Sequence, residues 1–544
     1  MSIDRSLAWR ALAEHANTLK GKQLADLFAE DSTRFQQFSY ETNDFLLDIS
    51  KQCITNETLK LLTGLAESQQ LSQSIEKLFI GEVVNYSEQR PALHTALRQP
   101  IETTIMVDGK NIMIDVQKSL TKMKLMVDMI HSSQWRGYNG QPIKDVVNIG
   151  VGGSNLGPLT ACEALFNQEM QDDHGLRVHF VSSMDGSELS SLLDGLDAAS
   201  TLFIISSKSF TTADTLANAN TAREWLVSAS VSPIELINKH HFIAVTANAS
   251  KALAWGVPEK NQLLFWEWVG GRFSLWSVIG LPIALQIGMD GFQALLEGAH
   301  EMDVHFRGAS FEKNLPVLLA LVSIWNINFL NIHAHAILPY DGRLASLPYY
   351  LEQLEMESNG KNVNHAGEHI NYKTCPILWG EIGSNAQHAF YQLLHQGTEP
   401  VMCDFIAPVN RYQHDIQELK NQHRLSLANC FAQSRLLALG DSMLEDKENA
   451  PNHKRYIGSK PSSTLLFSEL SPKVLGGLIA LYEHKVFVQS VIWEINPFDQ
   501  WGVELGKKIA TSMLPRLSSK EGAPLDGSTN GLLSHVRNKQ GDVT

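Results

Sequence analysis

Cysteine is scarce and unpaired in this 544-residue chain. Its five cysteines (Cys53, Cys162, Cys375, Cys403 and Cys430) are scattered, odd in number and never spaced as C-x-x-C. That pattern indicates neither a disulfide framework nor a thiolate zinc site, and it fits a reducing compartment. Basic runs are missing too: no stretch of Lys and Arg exceeds two residues, and 44 Lys+Arg against 58 Asp+Glu leave a net charge of −14. A general nucleic-acid binder needs a basic surface to displace counterions, so that class is excluded. A small anionic substrate stays compatible, because net charge does not fix the sign of one pocket. The N-terminal MSIDRSLAWRALAEHANTLK lacks the uninterrupted apolar core of a secretory signal, and a cytoplasmic protein is expected. One stretch of 27 residues, Asn314 to Tyr340, has no Asp, Glu, Lys or Arg. Its second half carries Asn326, Asn328, Asn331, His333 and His335, which are expensive in hydrocarbon, so no membrane span is expected. A buried helix near Leu315–Phe329 followed by a strand at His335–Pro339 accounts for it.

What is present is a globular composition, 44% apolar and 19% charged. Residues 1–115 read mainly as helices with polar faces. Short apolar strands then alternate with helical segments: DVVNI (145–149), VHFV (178–181), LFII (202–205) and FIAV (242–245). A second series follows with HAILP, CPILWG (375–380) and DFIAPV (404–409). Such alternation predicts an α/β chain with two parallel-sheet modules and a boundary in the polar stretch at 290–312. The last 28 residues or so are polar and rich in Gly and Ser, and read as a tail. Ligands of open α/β sheets sit at the carboxyl ends of strands, which directs attention to the turns there.

Strand DVVNI runs into Gly150-Val-Gly-Gly-Ser-Asn-Leu-Gly157-Pro158, which frees backbone N–H groups near a helix start. A dinucleotide fingerprint fails at Asn155, and a Walker A loop fails at Pro158-Leu159. A plain strand–helix turn is the competing reading. Strand LFII leads to Ser206-Ser-Lys-Ser-Phe-Thr-Thr212, where Ser207, Ser209, Thr211 and Thr212 offer hydroxyls and Lys208 an ammonium. Helix capping explains one or two such hydroxyls. This many, with a lysine and a helix N-terminus, favours a phosphomonoester site.

Further along, Gln353 and Glu357 are spaced i, i+4 in LASLPYYLEQLEMESNGK and share a helix face, whereas Glu352 and Glu355 point elsewhere. Arg272 in WVGGRFSLW follows a Gly-Gly pair and precedes 17 uncharged residues, which suits an oxyanion stabiliser; a buried ion pair is the alternative. His388 lies in the first turns of a helix after CPILWG, and Lys507 is i+7 from Gln500 on the face of the last long helix. His365-Ala-Gly-Glu-His369 matches the inverted zinc-peptidase pattern but has a glycine inside and no apolar stripe, so no metal is expected.

Taken together, GVGGSNLGP, SKSFTT, VGGRFSLWS, YLEQLEMESNGK, GSNAQHAFYQLLHQG and FDQWGVELGK, in this order, give a chain that resembles the phosphoglucose isomerase family end to end. The resemblance implies two sugar-isomerase (SIS-type) domains, each a parallel sheet flanked by helices, at 116–290 and 291–515. A helical N-terminal segment (1–115) packing with the second domain and a C-terminal tail (516–544) complete the expected organisation. It implies reversible isomerisation of glucose 6-phosphate and fructose 6-phosphate through ring opening and a cis-enediol(ate), in glycolysis and gluconeogenesis, without a cofactor. It further implies phosphate binding by Ser207, Lys208, Ser209 and Thr212, with Thr211 and Gln500 as further substrate contacts. Gly153 and Ser154 would touch sugar or phosphate, and Gln353 would orient the substrate. Glu357 would be the base, Arg272 the enediolate stabiliser, and His388 with Lys507 the ring-opening pair. A homodimer is implied, with His388 given to the site across the interface. Ser209 stands where many members have Thr, Ile382 replaces a proline, and Ser384 replaces Thr. A non-catalytic sugar-phosphate-binding protein on the same fold is the alternative.

Overall fold

The computed structural model of the chain describes residues 3–166, 175–412, 415–444, 449–519, 522–523 and 525–540. Two compact units are distinguished, Met1–Pro497 and Phe498–Thr544. The first unit contains two larger sheets flanked by helices. In one, the strand order is Arg177–Val181, Asp145–Gly150, Thr201–Ser206, Phe242–Thr246 and Gln262–Leu264, with every neighbour parallel. Asp145–Gly150, Thr201–Ser206 and Phe242–Thr246 are buried at every position, which is why they read as apolar runs rather than alternations.

The other sheet runs Ser39–Glu41, Phe45–Asp48, Ser462–Phe467, Val401–Pro408, Ala334–Pro339 and Ile377–Gly380. Its last four strands are mutually parallel, and an N-terminal hairpin joins antiparallel through Phe45–Asp48. The N-terminal segment therefore adds two strands to its helices. The charge-free stretch divides as expected, into helix Leu315–Asn328 and strand Ala334–Pro339. At 14 residues the helix is shorter than the roughly 20 a bilayer requires. A longer helical run, Val278–Gly308, is long and apolar enough to cross a membrane, but 61% of its apolar window is buried in protein.

The polar stretch from 290 is mostly helical, as the later part of Leu281–Gly308. This helix lies against Pro472–Ile492 with backbones in near contact. A Cβ added at Gly298 would stand 1.7 Å from the Lys473 carbonyl oxygen, and one at Gly476 would stand 2.0 Å from that of Leu295. Only glycine permits that approach. The same helix pair is joined by a buried ionic cluster. Arg98 donates to Asp303 through Nε (2.9 Å) and Nη2 (2.7 Å), and to Glu483 through Nη1 (2.6 Å). Trp276 Nε1 donates to the other Glu483 oxygen at 2.8 Å, and His484 Nε2 lies 2.7 Å from Asp303.

In the second unit, a short 3-10 turn at Trp501–Val503 precedes helices Glu504–Ser518 and Gly527–Gln540. The polar tail expected from the sequence thus includes a helix.

Removing the guanidinium should be costly, because two buried carboxylates lose their counter-charge. Arg98→Met is expected to lower unfolding stability by about 3–5 kcal/mol in chemical denaturation. The wild-type protein should also lose stability in acid. Burial would raise the pKa of Asp303, but Arg98 and His484 outweigh it and hold the carboxyl below its ordinary value. A depressed carboxylate stabilises the fold above its unfolded pKa, and that contribution disappears as pH falls through the folded one. Denaturation midpoints should therefore drop below about pH 4.

Candidate active site

Strands Asp145–Gly150 and Thr201–Ser206 pair with Gly150 opposite Ser206, so the turns that follow them lie side by side at the carboxyl edge. Polar contacts bind them: Ser206 Oγ donates to Asn148 Oδ1 (2.8 Å), and Asn148 Nδ2 donates to the Ser154 carbonyl (3.1 Å). In the second turn Ser207 Oγ lies 3.2 Å from Thr212 Oγ1, and Ser209 Oγ lies 2.7 Å from Thr211 Oγ1. Phe210 holds the loop's shape, with φ of +51° and its ring buried in the core of the first sheet. Helix Ala213–Ser228 begins here with no side-chain cap from Thr212, and Leu156–Ala164 begins likewise after Asn155. Two uncapped helix starts face the same edge, and their first-turn N–H groups are natural partners for an anion.

Lys208 has partners outside the turn. Its ammonium donates to the carbonyls of Glu267 (2.7 Å) and Val269 (3.0 Å), with the Glu267 carboxylate 3.2 Å away. Burial lowers its pKa, and Glu267 opposes that shift. The Lys208 carbonyl accepts from Ala247 N (2.9 Å) and Thr246 Oγ1 (3.0 Å), so the residue ties the turn to the neighbouring strand.

A third element meets these turns. Helix Leu347–Glu352 continues into a π-helical turn, Gln353–Glu357, where an α-helix was expected. The predicted pairing survives: Gln353 Nε2 donates to Glu357 Oε2 at 3.0 Å. That same oxygen lies 3.2 Å from Arg272 Nη1. Arg272 is 3% exposed, and its Nε donates to Ser358 Oγ at 2.6 Å while its Nη2 donates to the Pro497 carbonyl. Tyr350 Oη donates to the Arg272 carbonyl at 3.2 Å. The glycine turn closes on this group: a Cβ at Gly153 would lie 2.0 Å from the Gly271 oxygen, and one at Gly152 would lie 2.8 Å from Gln353 Nε2. The glycine turn therefore adjoins both the Ser207–Thr212 turn and the Glu357–Gln353–Arg272 group. Glu355 points the other way, into the core, as the spacing indicated.

The other expected residues lie on other elements. His388 is exposed on the short helix Gly383–Ala389 and lines a surface hollow of about 340 Å³ with Tyr391, His395 and Tyr456. Lys507 belongs to the second unit, where its Nζ pairs with Glu504 at 2.8 Å. Gln500 precedes the 3-10 turn with φ of −150°, outside helix Glu504–Ser518, so the shared helix face expected for it and Lys507 does not exist. The His365–His369 segment is a turn, with Asn364 Nδ2 donating to Glu368 Oε2 at 3.0 Å, not the helix a zinc peptidase needs. Ser358, Tyr350 and Thr215 escaped the sequence reading. Thr215, in the first turn of Ala213–Ser228, has a buried hydroxyl without a hydrogen-bond partner among the described residues. No spacing rule would single out a serine or tyrosine that supports an arginine from another segment.

The sequence model of the family described as phosphoglucose isomerase matches residues 48–533. The chain is 54% identical to glucose-6-phosphate isomerase 2 of Chromohalobacter salexigens over 98% of both chains. It is also 54% identical to the glucose-6-phosphate isomerase of Hydrogenovibrio crunogenus, over 98% of this chain and 100% of that one. A solved glucose-6-phosphate isomerase from Chlamydia trachomatis superposes with a TM-score of 0.85 at 30% identity, over 99% of this chain and 100% of the other. The chain belongs to the phosphoglucose isomerase family.

Proposed function

We propose that Glu357 is the proton-transferring base of the reaction that the family carries out, the reversible isomerisation of glucose 6-phosphate and fructose 6-phosphate. The chain is an aldose–ketose isomerase of glycolysis, and no feature of the site favours a non-catalytic sugar-phosphate binder. One observation carries the assignment: a single carboxylate oxygen of Glu357 is shared by the Gln353 amide and the Arg272 guanidinium.

The chemistry suits those groups. The hemiacetal ring opens, a proton leaves C2, a cis-enediol(ate) forms, and a proton returns to C1. One carboxylate on the face common to both carbons can take and return that proton. Gln353 would fix the direction of the carboxylate. Arg272, already desolvated, would attract the charge that develops on O1 and O2 and so act chiefly on the transition state. Ser207, Ser209, Thr211 and Thr212, together with Gly153, Ser154 and the two helix starts, would hold the phosphate or nearby hydroxyls and supply register. Lys208 would add positive potential while its backbone position shapes the turn. His388 and Lys507 are assigned to ring opening, and Gln500 to substrate contact.

A homodimer in which His388 serves the partner's site fits an exposed histidine that no hydrogen bond or ion pair holds within its own chain, among the described residues. The two SIS-type domains at 116–290 and 291–515 are the proposed division of the chain. A cytoplasmic location is in keeping with five free cysteines.

Glu357→Gln should lower kcat by about two to four orders of magnitude in a coupled assay with fructose 6-phosphate, while calorimetric binding of that sugar changes little. Retained turnover would remove Glu357 from the role. Gly153→Ala should push the glycine turn away from Gly271 and Arg272, lowering stability by about 1–3 kcal/mol and activity with it. Mixing inactive Glu357→Gln with inactive His388→Ala subunits should restore about a quarter of wild-type activity if each site draws on two chains. If His388 acts within its own chain, the mixture stays inactive.

A further inference from the structure

The turn that carries Glu357 is gripped from behind. Glu355 lies between Gln353 and Glu357 in sequence but is 1% exposed, and its carboxylate meets Lys485 Nζ at 2.7 Å. The second Glu355 oxygen accepts from Gln489 Nε2 at 3.0 Å. Gln489 also donates to Ser323 Oγ (3.0 Å) and accepts from Asn359 Nδ2 (3.0 Å), two residues beyond Glu357. Lys485 and Gln489 are one turn apart on Pro472–Ile492, so one rigid helix holds the turn at its middle and at its exit. On the far side, Lys361 Nζ donates to the carbonyls of Glu357 (2.9 Å) and Ser358 (2.7 Å).

Two considerations separate this arrangement from ordinary core packing. A π-turn inside an α-helix is rare and is found frequently at functional sites. A fully buried ion pair is a weak source of stability, because apolar residues of similar volume often do as well or better. Its charge and directionality can, however, define one geometry among several of similar packing.

The geometry points to Glu355 and Lys485 as a positioning pair. Their contact sets the width of the Gln353–Glu357 turn, and thereby the aim of the Glu357 carboxylate between Gln353 and Arg272. The inference rests on Glu357 being the base. Neither Glu355 nor Lys485 touches the substrate; both act through the turn.

The test compares Glu355→Leu/Lys485→Met, Glu355→Asp and Glu357→Gln in the full-length protein. Melting temperature, kcat, KM and the isotope effect on kcat with C2-deuterated glucose 6-phosphate are measured for each. The apolar double variant is expected to keep or raise the melting temperature and to hold KM within about threefold. Its kcat should fall by about ten- to a hundredfold, with a larger isotope effect, because a misdirected carboxylate slows proton transfer and not binding. Glu355→Asp keeps the charge but shortens the arm by one carbon, and it should lose kcat in the same sense. A folded double variant with unchanged kcat and isotope effect overturns the proposal. If the double variant does not fold, Glu355→Asp decides: unchanged kcat and isotope effect, or failure to fold as well, overturns it. An inactive Glu357→Gln beside a fully active pair variant rejects the positioning role alone. A fully active Glu357→Gln rejects the base assignment itself.

Discussion

Helices Leu281–Gly308 and Pro472–Ile492 meet backbone against backbone at Gly298 and Gly476, and much of the site's geometry is referred to that seam. The first helix carries Asp303 and the second carries Glu483 and His484, all gathered around the buried Arg98. Arg98 comes from the N-terminal segment, so three distant parts of the chain are fixed at one cluster. The second helix then reaches forward with Lys485 and Gln489 to hold the turn of Glu357. Helix backbones in contact cannot slide without clashing, so the helix that carries Lys485 and Gln489 is held in register against its neighbour.

Two cations of this acidic chain are held among oxygen atoms at the proposed site. Arg272 is held by Ser358 and the Pro497 carbonyl as well as by Glu357, and Lys208 by the carbonyls of Glu267 and Val269. Neither is a free surface cation. Each gives its field without the side-chain freedom that an exposed lysine or arginine would have to lose.

Much of this was legible from residues alone. The buried parallel strands announced themselves as apolar runs, and the serine- and glycine-rich turns fell where such sheets bind ligands. Gln353 and Glu357 were correctly placed on one side of their segment. Other parts were not legible for physical reasons. Ser462–Phe467 begins with Ser-Ser-Thr, so a largely buried strand looks polar. Gln262–Leu264 has three residues, too few to show a period. A π-turn leaves no mark in a pattern of 3.6. The direction of Lys208 depends on Glu267, nearly sixty residues away, which no local spacing encodes. Gln500 was read into a helix that begins only at Glu504.

Phe210 has a wider consequence. Its backbone sits in the left-handed region at φ of +51°, where a non-glycine residue is strained, yet its ring is sunk in the core beneath the serine–threonine turn. Folding itself therefore gives that turn its shape. The ordering entropy that a mobile anion-binding loop would surrender at each encounter is surrendered once, during folding. If that turn holds the phosphate as proposed, a small ligand caught and released in every catalytic cycle would find its partners already in place.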